Sequence, residues 1–214
     1  MASLVDLGFS KRVIVEAIVS TYSVDGGVNA APMGVEAHGP KHVSIRPYIS
    51  SSTYKNLRLK RYAVINITSD PELYYRTAFK NSSKDGLPPG WFERAEFVDA
   101  PRLRRADGFV EVSVKSEKGL DEGRCEVLCE VRYIKAPKKS PTAYCRAVFA
   151  TIEAIIHATR VEPLMASGRR EEVYRLIKLI DYYRGIVERV APRSRYSEII
   201  RGLMDMMDVE EVRH

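Results

Sequence analysis

The sequence predicts a mainly β domain that closes into a barrel, with an α-helical appendage after it. Up to about residue 135, apolar segments rich in β-branched residues alternate with period two and are separated by turn residues, as in half-buried strands. After Ser140 the apolar residues recur three and four positions apart, which is the spacing of amphipathic helices. We therefore place the one domain boundary near Lys138. It separates a barrel domain over residues 1–138 from a helical extension over residues 139–214.

The composition fits one substantial domain with an appendage. The chain has 214 residues, of which 45% are hydrophobic, and this length does not suffice for two large domains. A net charge of +6 raises the question of a nucleic-acid partner. The basic residues are scattered among glutamates, as on a solvated surface or beside an anionic cofactor, which argues against that partner. No window resembles a membrane span or a signal peptide, so we expect a cytoplasmic protein that does not bind membranes.

The barrel strands follow from the alternation of apolar residues and from the turns between them. Residues 11–22 form the first strand, with Val15, Ala17 and Val19 on one face. An Asp-Gly-Gly turn at residues 25–27 supplies the positive φ that a hairpin needs. The other predicted strands span residues 28–37, 43–47, 62–68, 109–114 and 124–134, of which the last two form a hairpin that completes the barrel.

Helix signals occur in both predicted domains. A short helix is expected over residues 53–61, and Asp70 followed by Pro71 gives a second helix its N-cap and first position. In the extension, helices are predicted over residues 140–160, over residues 170–190 and after Ser194. Their apolar stripes are expected to form a core, either on the barrel or across a dimer.

The cysteines and histidines do not form a recognisable metal site. Cys125 and Cys129 face the same side of a strand, either as buried apolar side chains or as a redox pair, and we favour burial because free cysteine is among the most buried residue types. His38 and His42 flank a turn. No third ligand stands near them, so we interpret them as turn residues and assign no metal.

The strongest candidate site lies within residues 26–57. Asn29 begins a run of small residues, N-A-A-P-M-G, against whose main chain a flat ligand could lie. Further on, Arg46 and the hydroxyl-rich helix start near Thr53 could converge on one phosphate group. Each feature also has a plain structural interpretation: the small residues suit close strand packing, and the residues from Ser50 to Thr53 suit a helix N-cap without a ligand.

The order and spacing of these motifs resemble a known superfamily. N-A-A-P-M-G, a hairpin, R-P-Y, S-x-T-Y-x-N-L and finally V-I-N-I-T at residues 64–68 resemble the FMN-binding split-barrel proteins of the flavin reductase-like superfamily. More narrowly, the sequence is similar to an archaeal branch known mainly as a domain of unknown function. The resemblance covers residues 13–131, and the tail is similar to the helical extension of that branch. It implies a split β-barrel with a C-terminal helical appendage.

The resemblance also implies a set of cofactor contacts. The residues implied along the isoalloxazine ring of FMN are Asn29, Ala30, Pro32, Met33 and Gly34. Those implied around the ribityl phosphate are Arg46, Ser51, Thr53, Tyr54 and Asn56. Asn66 has two interpretations, because it either borders the flavin, as an asparagine does in the resembled family, or satisfies backbone groups in the core.

By the same resemblance, the barrel forms a homodimer with FMN at the interface, and Trp91 or the helical tail of the second chain completes the pocket. The implied function is an oxidoreductase that reduces free flavin or a small organic substrate, with a nicotinamide as transient donor. Another cofactor, such as a deazaflavin or a pyridoxal-type phosphate, is an alternative, as is a basic nucleic-acid-binding module. His157 is expected to be a structural histidine rather than a proton donor near the flavin. No residue is identified as catalytic.

Overall fold

The computed structural model describes residues 2–9, 14–80, 86–121, 123–137 and 145–207. The chain forms two compact units. The first consists of Met1–Thr68 with Asn81–Lys139, and the second of Ser69–Lys80 with Ser140–His214. The sequence-based boundary near Lys138 placed residues 69–80 with the barrel, whereas the structure groups them with the helices that follow it.

The first unit is a closed antiparallel barrel, as the sequence predicts. Its strands, in chain order, are β1 (Ile14–Tyr22), β2 (Val28–Ala37), β3 (His42–Ile45), β4 (Tyr62–Ile67), β5 (Phe92–Arg94), β6 (Pro101–Leu103), β7 (Gly108–Gly119) and β8 (Cys125–Lys135). The order around the barrel is β1-β2-β3-β8-β7-β4, and β4 pairs with β1 to close it. Residues 11–13 of the predicted first strand lie outside the described residues. The β5–β6 hairpin, which was not predicted, forms a separate sheet.

Alternation of apolar residues determines which face of each strand lies inside the barrel. Ala17 and Val19 of β1 and Val35 of β2 are fully buried in one core cluster. Cys125 and Cys129 are free cysteines and belong to the same core cluster. This confirms the prediction that they are buried apolar residues. Burial raises the pKa of the Cys129 thiol to about 12, so this thiol stays protonated at neutral pH.

The turn between β1 and β2 has the geometry that its sequence predicts. Gly26 has a φ of +85°, a left-handed conformation that glycine adopts without strain. The N–H of Ser23 donates to the carbonyl oxygen of Gly27 at 2.9 Å and closes the turn. The register that follows places Thr21 of β1 directly opposite Asn29 of β2.

A short helix, α1 (Ser52–Lys60), follows β3 and packs against β1 and β2. The Ser51 Oγ accepts a hydrogen bond from the Tyr54 N–H at 3.2 Å and caps the helix. Leu57 joins the barrel core. Arg61, with a φ of +64°, ends the helix, and its carbonyl oxygen accepts a hydrogen bond from the Val114 N–H.

The outer face of β1, β4 and β7 is covered by the segment that contains β5 and β6. Val64 and Phe109 are buried there against Ala95, Val98 and Ala100. Because this cluster covers the outer face of β4, both faces of the strand are buried and its sequence is continuously apolar rather than alternating.

The second unit contains five helices within the described residues. They are α2 (Pro71–Ala78), α3 (Arg146–Ala158), α4 (Val161–Ala166), α5 (Arg170–Val190) and α6 (Arg195–Met206). The predicted bounds of α5 are confirmed. The helix predicted over residues 140–160 corresponds to α3, and its predicted start at Ser140 lies outside the described residues. The buried face of α3 includes Ala147, Ala150, Ala154 and Ile155, whereas Val148 and Ile152 are only partly buried. Alanines on this face allow close packing between α3 and α5.

His157 on α3 is held by packing. Its ring lies 5.8 Å from the ring of Tyr183, and its Nδ1 is buried without a hydrogen-bond partner in the described part of the chain. Burial lowers the pKa of His157, and the positive charge of Arg160 acts in the same direction. Of the helices that the structure describes, none has both the length and the apolar character needed to cross a membrane.

Candidate ligand-binding site

A buried cluster of two threonines and two asparagines joins the β1–β2 hairpin to α1. The Asn29 Nδ2 donates to the Thr53 Oγ1 at 3.0 Å and to the Thr21 Oγ1 at 3.3 Å. The Asn56 Nδ2 donates to the same Thr21 oxygen at 3.0 Å. All four side chains are buried, with exposed fractions of 0% to 6%. We call Thr21, Asn29, Thr53 and Asn56 the amide cluster.

Local structure brings these four side chains together. Thr21 and Asn29 are cross-strand partners beside the Gly26 turn. Thr53 and Asn56 are three residues apart on α1, so they lie on the same face of the helix. Because Thr21 accepts from both asparagines, its hydroxyl connects the two elements. Thr21 is the member that the sequence did not reveal, since nothing in its local context distinguishes it from any other strand threonine.

The Asn29 side chain carries the oxygen of the amide cluster that is of most interest for ligand binding. The Asn29 Oδ1 is buried and accepts no hydrogen bond from any residue that the structure describes. An unsatisfied buried acceptor costs about 1–3 kcal/mol, and such groups are uncommon in native proteins outside functional sites. The atom is therefore a marker for a site at which a ligand or an ordered water supplies a donor.

The part of β2 that contains Asn29 pairs with β1. In the described sheet, β3 pairs with Val35, Glu36 and Ala37, and residues 28–34 pair with β1. This stretch contains the predicted isoalloxazine contacts. Alternation along the strand places them on opposite faces: Asn29 and Met33 on the inner one, and Ala30, Pro32 and Gly34 on the outer one. A flat ligand can meet residues of both faces only at the strand edge, through the main chain.

The N-terminus of α1 adjoins the amide cluster and is suited to bind an anion. The Oγ of Ser51 donates to the Tyr48 carbonyl oxygen at 2.7 Å while it caps the helix. The N–H groups of Ser52 and Thr53 belong to the first turn, which has no intrahelical acceptors. One guanidinium group, that of Arg124, lies over the Tyr48 ring beside this helix start, at 5.1 Å from the ring centroid. Its charge and the helix dipole favour a phosphate at this position.

Tyr54, another predicted phosphate contact, faces the barrel. The neighbouring Cys125 thiol is the main reason why the pKa of Tyr54 is raised, and burial acts in the same direction. The side chain is half-buried and packs against the barrel core. Tyr54 therefore ties α1 to β8 in its neutral form.

Arg46 is held elsewhere by two carboxylates. Its Nη2 lies 2.9 Å from the Glu36 Oε2 and 3.0 Å from the Glu126 Oε1, and its Nε donates to the same Glu126 oxygen at 3.1 Å. The hydrogen bonds that Arg46 donates to Glu126 raise the pKa of Arg46. The predicted use of Arg46 as a phosphate ligand is therefore not the arrangement in the structure, because its Nε and Nη2 donors are engaged by the two carboxylates.

Of the two roles predicted for Asn66, the structure shows the one in which its amide satisfies backbone groups in the core. It is fully buried, and its Nδ2 donates to the Ile18 carbonyl at 2.8 Å and to the Ser20 Oγ at 2.9 Å. Its Oδ1 accepts from the Leu103 N–H at 2.8 Å. The amide thus joins β1, β4 and β6, and both its nitrogen and its oxygen are engaged by protein groups.

The two turn histidines are each engaged by another side chain. The His38 Nε2 lies 2.8 Å from the Ser44 Oγ, and the His42 Nε2 lies 3.0 Å from the Lys115 Nζ. In the residues covered by the structure, no group of three histidine, cysteine, aspartate or glutamate side chains could hold a metal ion.

Solved structures show the same architecture. A crystal structure of an FMN-bound protein from Methanosarcina mazei matches this chain with a TM-score of 0.74 at 22% identity, over 94% of this chain and 98% of that protein. A putative flavin reductase with a split-barrel domain from Shewanella frigidimarina matches with a TM-score of 0.50 at 14% identity, over 63% of this chain and 75% of the other. The fold is a split β-barrel with C-terminal helices, as the sequence predicts.

The sequence itself assigns the family. The family described as protein of unknown function (DUF447), N-terminal domain, matches residues 15–136, which include every barrel strand from the second residue of β1 onwards. This match covers more than half of the chain and includes the amide cluster. The chain therefore belongs to the DUF447 family.

Proposed function

We propose that this protein is a homodimeric FMN-binding flavoprotein and an oxidoreductase of the flavin reductase-like type. The observation that carries the proposal is the amide cluster, which combines an unpartnered buried acceptor on Asn29 with the anion-binding start of α1. The FMN-bound state of the Methanosarcina mazei protein, which matches nearly the whole chain, supports the choice of cofactor.

The residues present fit the two polar ends of FMN. The ring system carries hydrogen-bond donors and acceptors along one edge, and the Asn29 Oδ1 offers a complementary acceptor. The phosphate carries about two negative charges, which suit the first turn of α1 and the hydroxyls of Ser52 and Thr53. Arg46 is not needed in this arrangement.

The roles of the chain are to bind and orient the cofactor. FMN supplies hydride and electron transfer when bound, whereas the protein determines its position, its electrostatic surroundings and its exposure to water. Thr21 and Thr53 accept hydrogen bonds from the Asn29 amide and hold it in one orientation, and Asn56 donates to the same Thr21 oxygen. We assign no general acid or base.

A second copy of the chain would complete the site. Tyr48, Ile49 and Leu120 form an apolar patch beside the α1 N-terminus, with exposed fractions of 45%, 44% and 45%. Backbone hydrogen bonds hold the patch together, because Ile49 donates to Gly123 at 3.0 Å and Leu120 donates to Arg124 at 3.1 Å. Large exposed apolar side chains grouped beside a polar site are typical of protein interfaces. Burial of this patch in a dimer would exclude water from the phosphate site.

A charge substitution at Ser52 tests the proposed phosphate position. Ser52 is exposed in the first turn of α1, so Ser52→Asp places a carboxylate where the phosphate is proposed to bind. An acidic residue there should stabilise the helix by about 0.3–1 kcal/mol, whereas it should weaken FMN binding by about ten-fold or more. Ser52→Asn is the matched neutral control. Equal FMN affinity of the two variants, measured by fluorescence titration, would exclude the α1 N-terminus as the phosphate site.

A further inference from the structure

A groove of about 360 Å³ lies on the outer face of β3, β7 and β8. Side chains that carry or can carry positive charge dominate its lining. The lining residues used below are His38, His42, Lys115, Lys118, Glu126 and Leu128. Its volume lies in the range of small-molecule pockets, which is about 300–1,000 Å³. None of these residues takes part in the amide cluster.

A break in strand register sets the position of Lys115. On β7, Val114 pairs with Cys129 and Ser116 pairs with Leu128, so Lys115 is the extra residue of a β-bulge. Bulges re-aim side chains, and here the Lys115 Nζ lies 3.0 Å from the His42 Nε2. An ammonium can only donate, so the imidazole nitrogen accepts. This bond leaves two N–H groups of Lys115 that no described residue engages.

Ion pairs engage the carboxylates beside the groove. Glu126, the one carboxylate of the lining, shares the Arg46 guanidinium with Glu36 and lies opposite Lys118 in the β7–β8 pairing. Glu130, opposite His42 on β8, makes an ion pair with Arg132 at 3.0 Å. Lys118 makes no ion pair among the described side chains. The lining therefore carries the positive charges of Lys115 and Lys118 beside the one negative charge of Glu126.

We propose that this groove binds a small phosphate-bearing metabolite, in addition to the proposed FMN. The two ammonium groups can each donate to a separate phosphate oxygen, and a phosphate monoester offers three such oxygens whereas a carboxylate offers two. His38 supplies a further polar contact at the rim, and Leu128 on the floor offers an apolar surface for the organic part of the ligand. The ligand class is thus an organic phosphate monoester with few atoms beyond the phosphate.

The test is isothermal titration of the full chain with phenyl phosphate at fixed ionic strength and saturating FMN. Benzoate and benzyl alcohol serve as singly charged and neutral analogues. We expect phenyl phosphate to bind at least ten-fold more tightly than either analogue. Lys115→Gln should weaken this binding by about ten-fold or more, because it removes a charged contact but keeps the length of the side chain. Lys178→Gln, an exposed lysine on α5, is the charge-matched control and should bind as the wild type does.

Three results would overturn the proposal: equal binding by Lys115→Gln, no preference for phenyl phosphate over benzoate, or displacement of phenyl phosphate by FMN. The last result would place the anion at the cofactor site. Lys115 is exposed, so Lys115→Gln should fold, and an unchanged circular dichroism melting curve verifies this. The titration does not require the FMN proposal to hold, since phenyl phosphate binding and its loss in Lys115→Gln can be measured without the cofactor.

Discussion

The Nδ2 of Asn29 donates to the Thr53 Oγ1 at 3.0 Å, and this bond links the second barrel strand to α1. Thr53→Val removes the hydroxyl but keeps the shape of the side chain. We expect it to lower the free energy of unfolding by about 1–3 kcal/mol, because a buried amide loses a partner, and to weaken FMN binding. Thr151→Val, at a fully buried threonine of α3, is the matched control and should leave FMN affinity unchanged. Urea unfolding with and without FMN measures both effects. If FMN stabilises Thr53→Val as much as the wild type, the amide cluster is not part of the site.

The ion pairs of Arg46 allow a test between the structure and the family resemblance. With its guanidinium held by Glu36 and Glu126, Arg46→Ala should lower stability by only about 1 kcal/mol or less, since the group is partly exposed. FMN affinity should change less than three-fold. Fluorescence titration distinguishes this from the resemblance, which predicts a loss of ten-fold or more. A loss of that size would show that Arg46 leaves its carboxylates to bind the phosphate.

The apolar patch beside α1 predicts a concentration-dependent dimer. Ile49→Asp places a charge in the patch and should shift the protein to a monomer in sedimentation-velocity measurements, and FMN binding should weaken with it. The fold of the single chain should tolerate this charge, because the Ile49 side chain is 44% exposed. Val5→Asp, at a position that is 73% exposed, serves as the control and should remain dimeric. A monomeric wild type at all concentrations would contradict the dimer.

Burial of Cys129 predicts a loss of stability in alkali. Its pKa in the folded chain is raised to about 12, above the value of an exposed thiol, so the unfolded chain gives up its proton first as the pH rises. Below about pH 8.5 the Cys129 thiol is protonated in both states and does not lower the free energy of unfolding. Between about pH 8.5 and about pH 12 its contribution lowers the free energy of unfolding by about 1.4 kcal/mol per pH unit. Urea unfolding from pH 8 to 10.5 should therefore show a shallower decline for Cys129→Ala than for the wild type.

Val127→Ala is the control for the cavity that Cys129→Ala creates. Val127 is fully buried on the same strand and does not titrate, so its truncation should lower stability equally at every pH. Parallel curves for the wild type and Cys129→Ala would show that this thiol is not protected by burial.

Local signals made much of the barrel predictable. The Gly26 turn, the Ser51 N-cap and the period-two alternation of β2 each depend on residues that are close in sequence, and each occurs in the structure as predicted. The local helix signals also predicted that four of the proposed phosphate contacts lie on or beside α1, as they do in the structure. These residues are Ser51, Thr53, Tyr54 and Asn56. Whether they bind a phosphate remains a prediction.

Relationships between distant segments were not predictable. Thr21 gains its role only through its register with Asn29 and the packing of α1. Arg46 meets Glu126, which is 80 residues away, across the β3–β8 pairing, so no local pattern could reveal that its charge is already paired. On α3, alanines form much of the buried face because close packing favours small side chains, and the spacing of apolar residues does not reveal which of them pack closely.

The visible absorption spectrum of the purified protein tests the central claim most directly. Heat release followed by chromatography identifies whatever cofactor the spectrum reveals. The account predicts a yellow protein that releases FMN, and a colourless preparation should regain the flavin spectrum on titration with FMN. A protein that stays colourless and does not bind added FMN, or one that releases a deazaflavin or a pyridoxal phosphate, would contradict it.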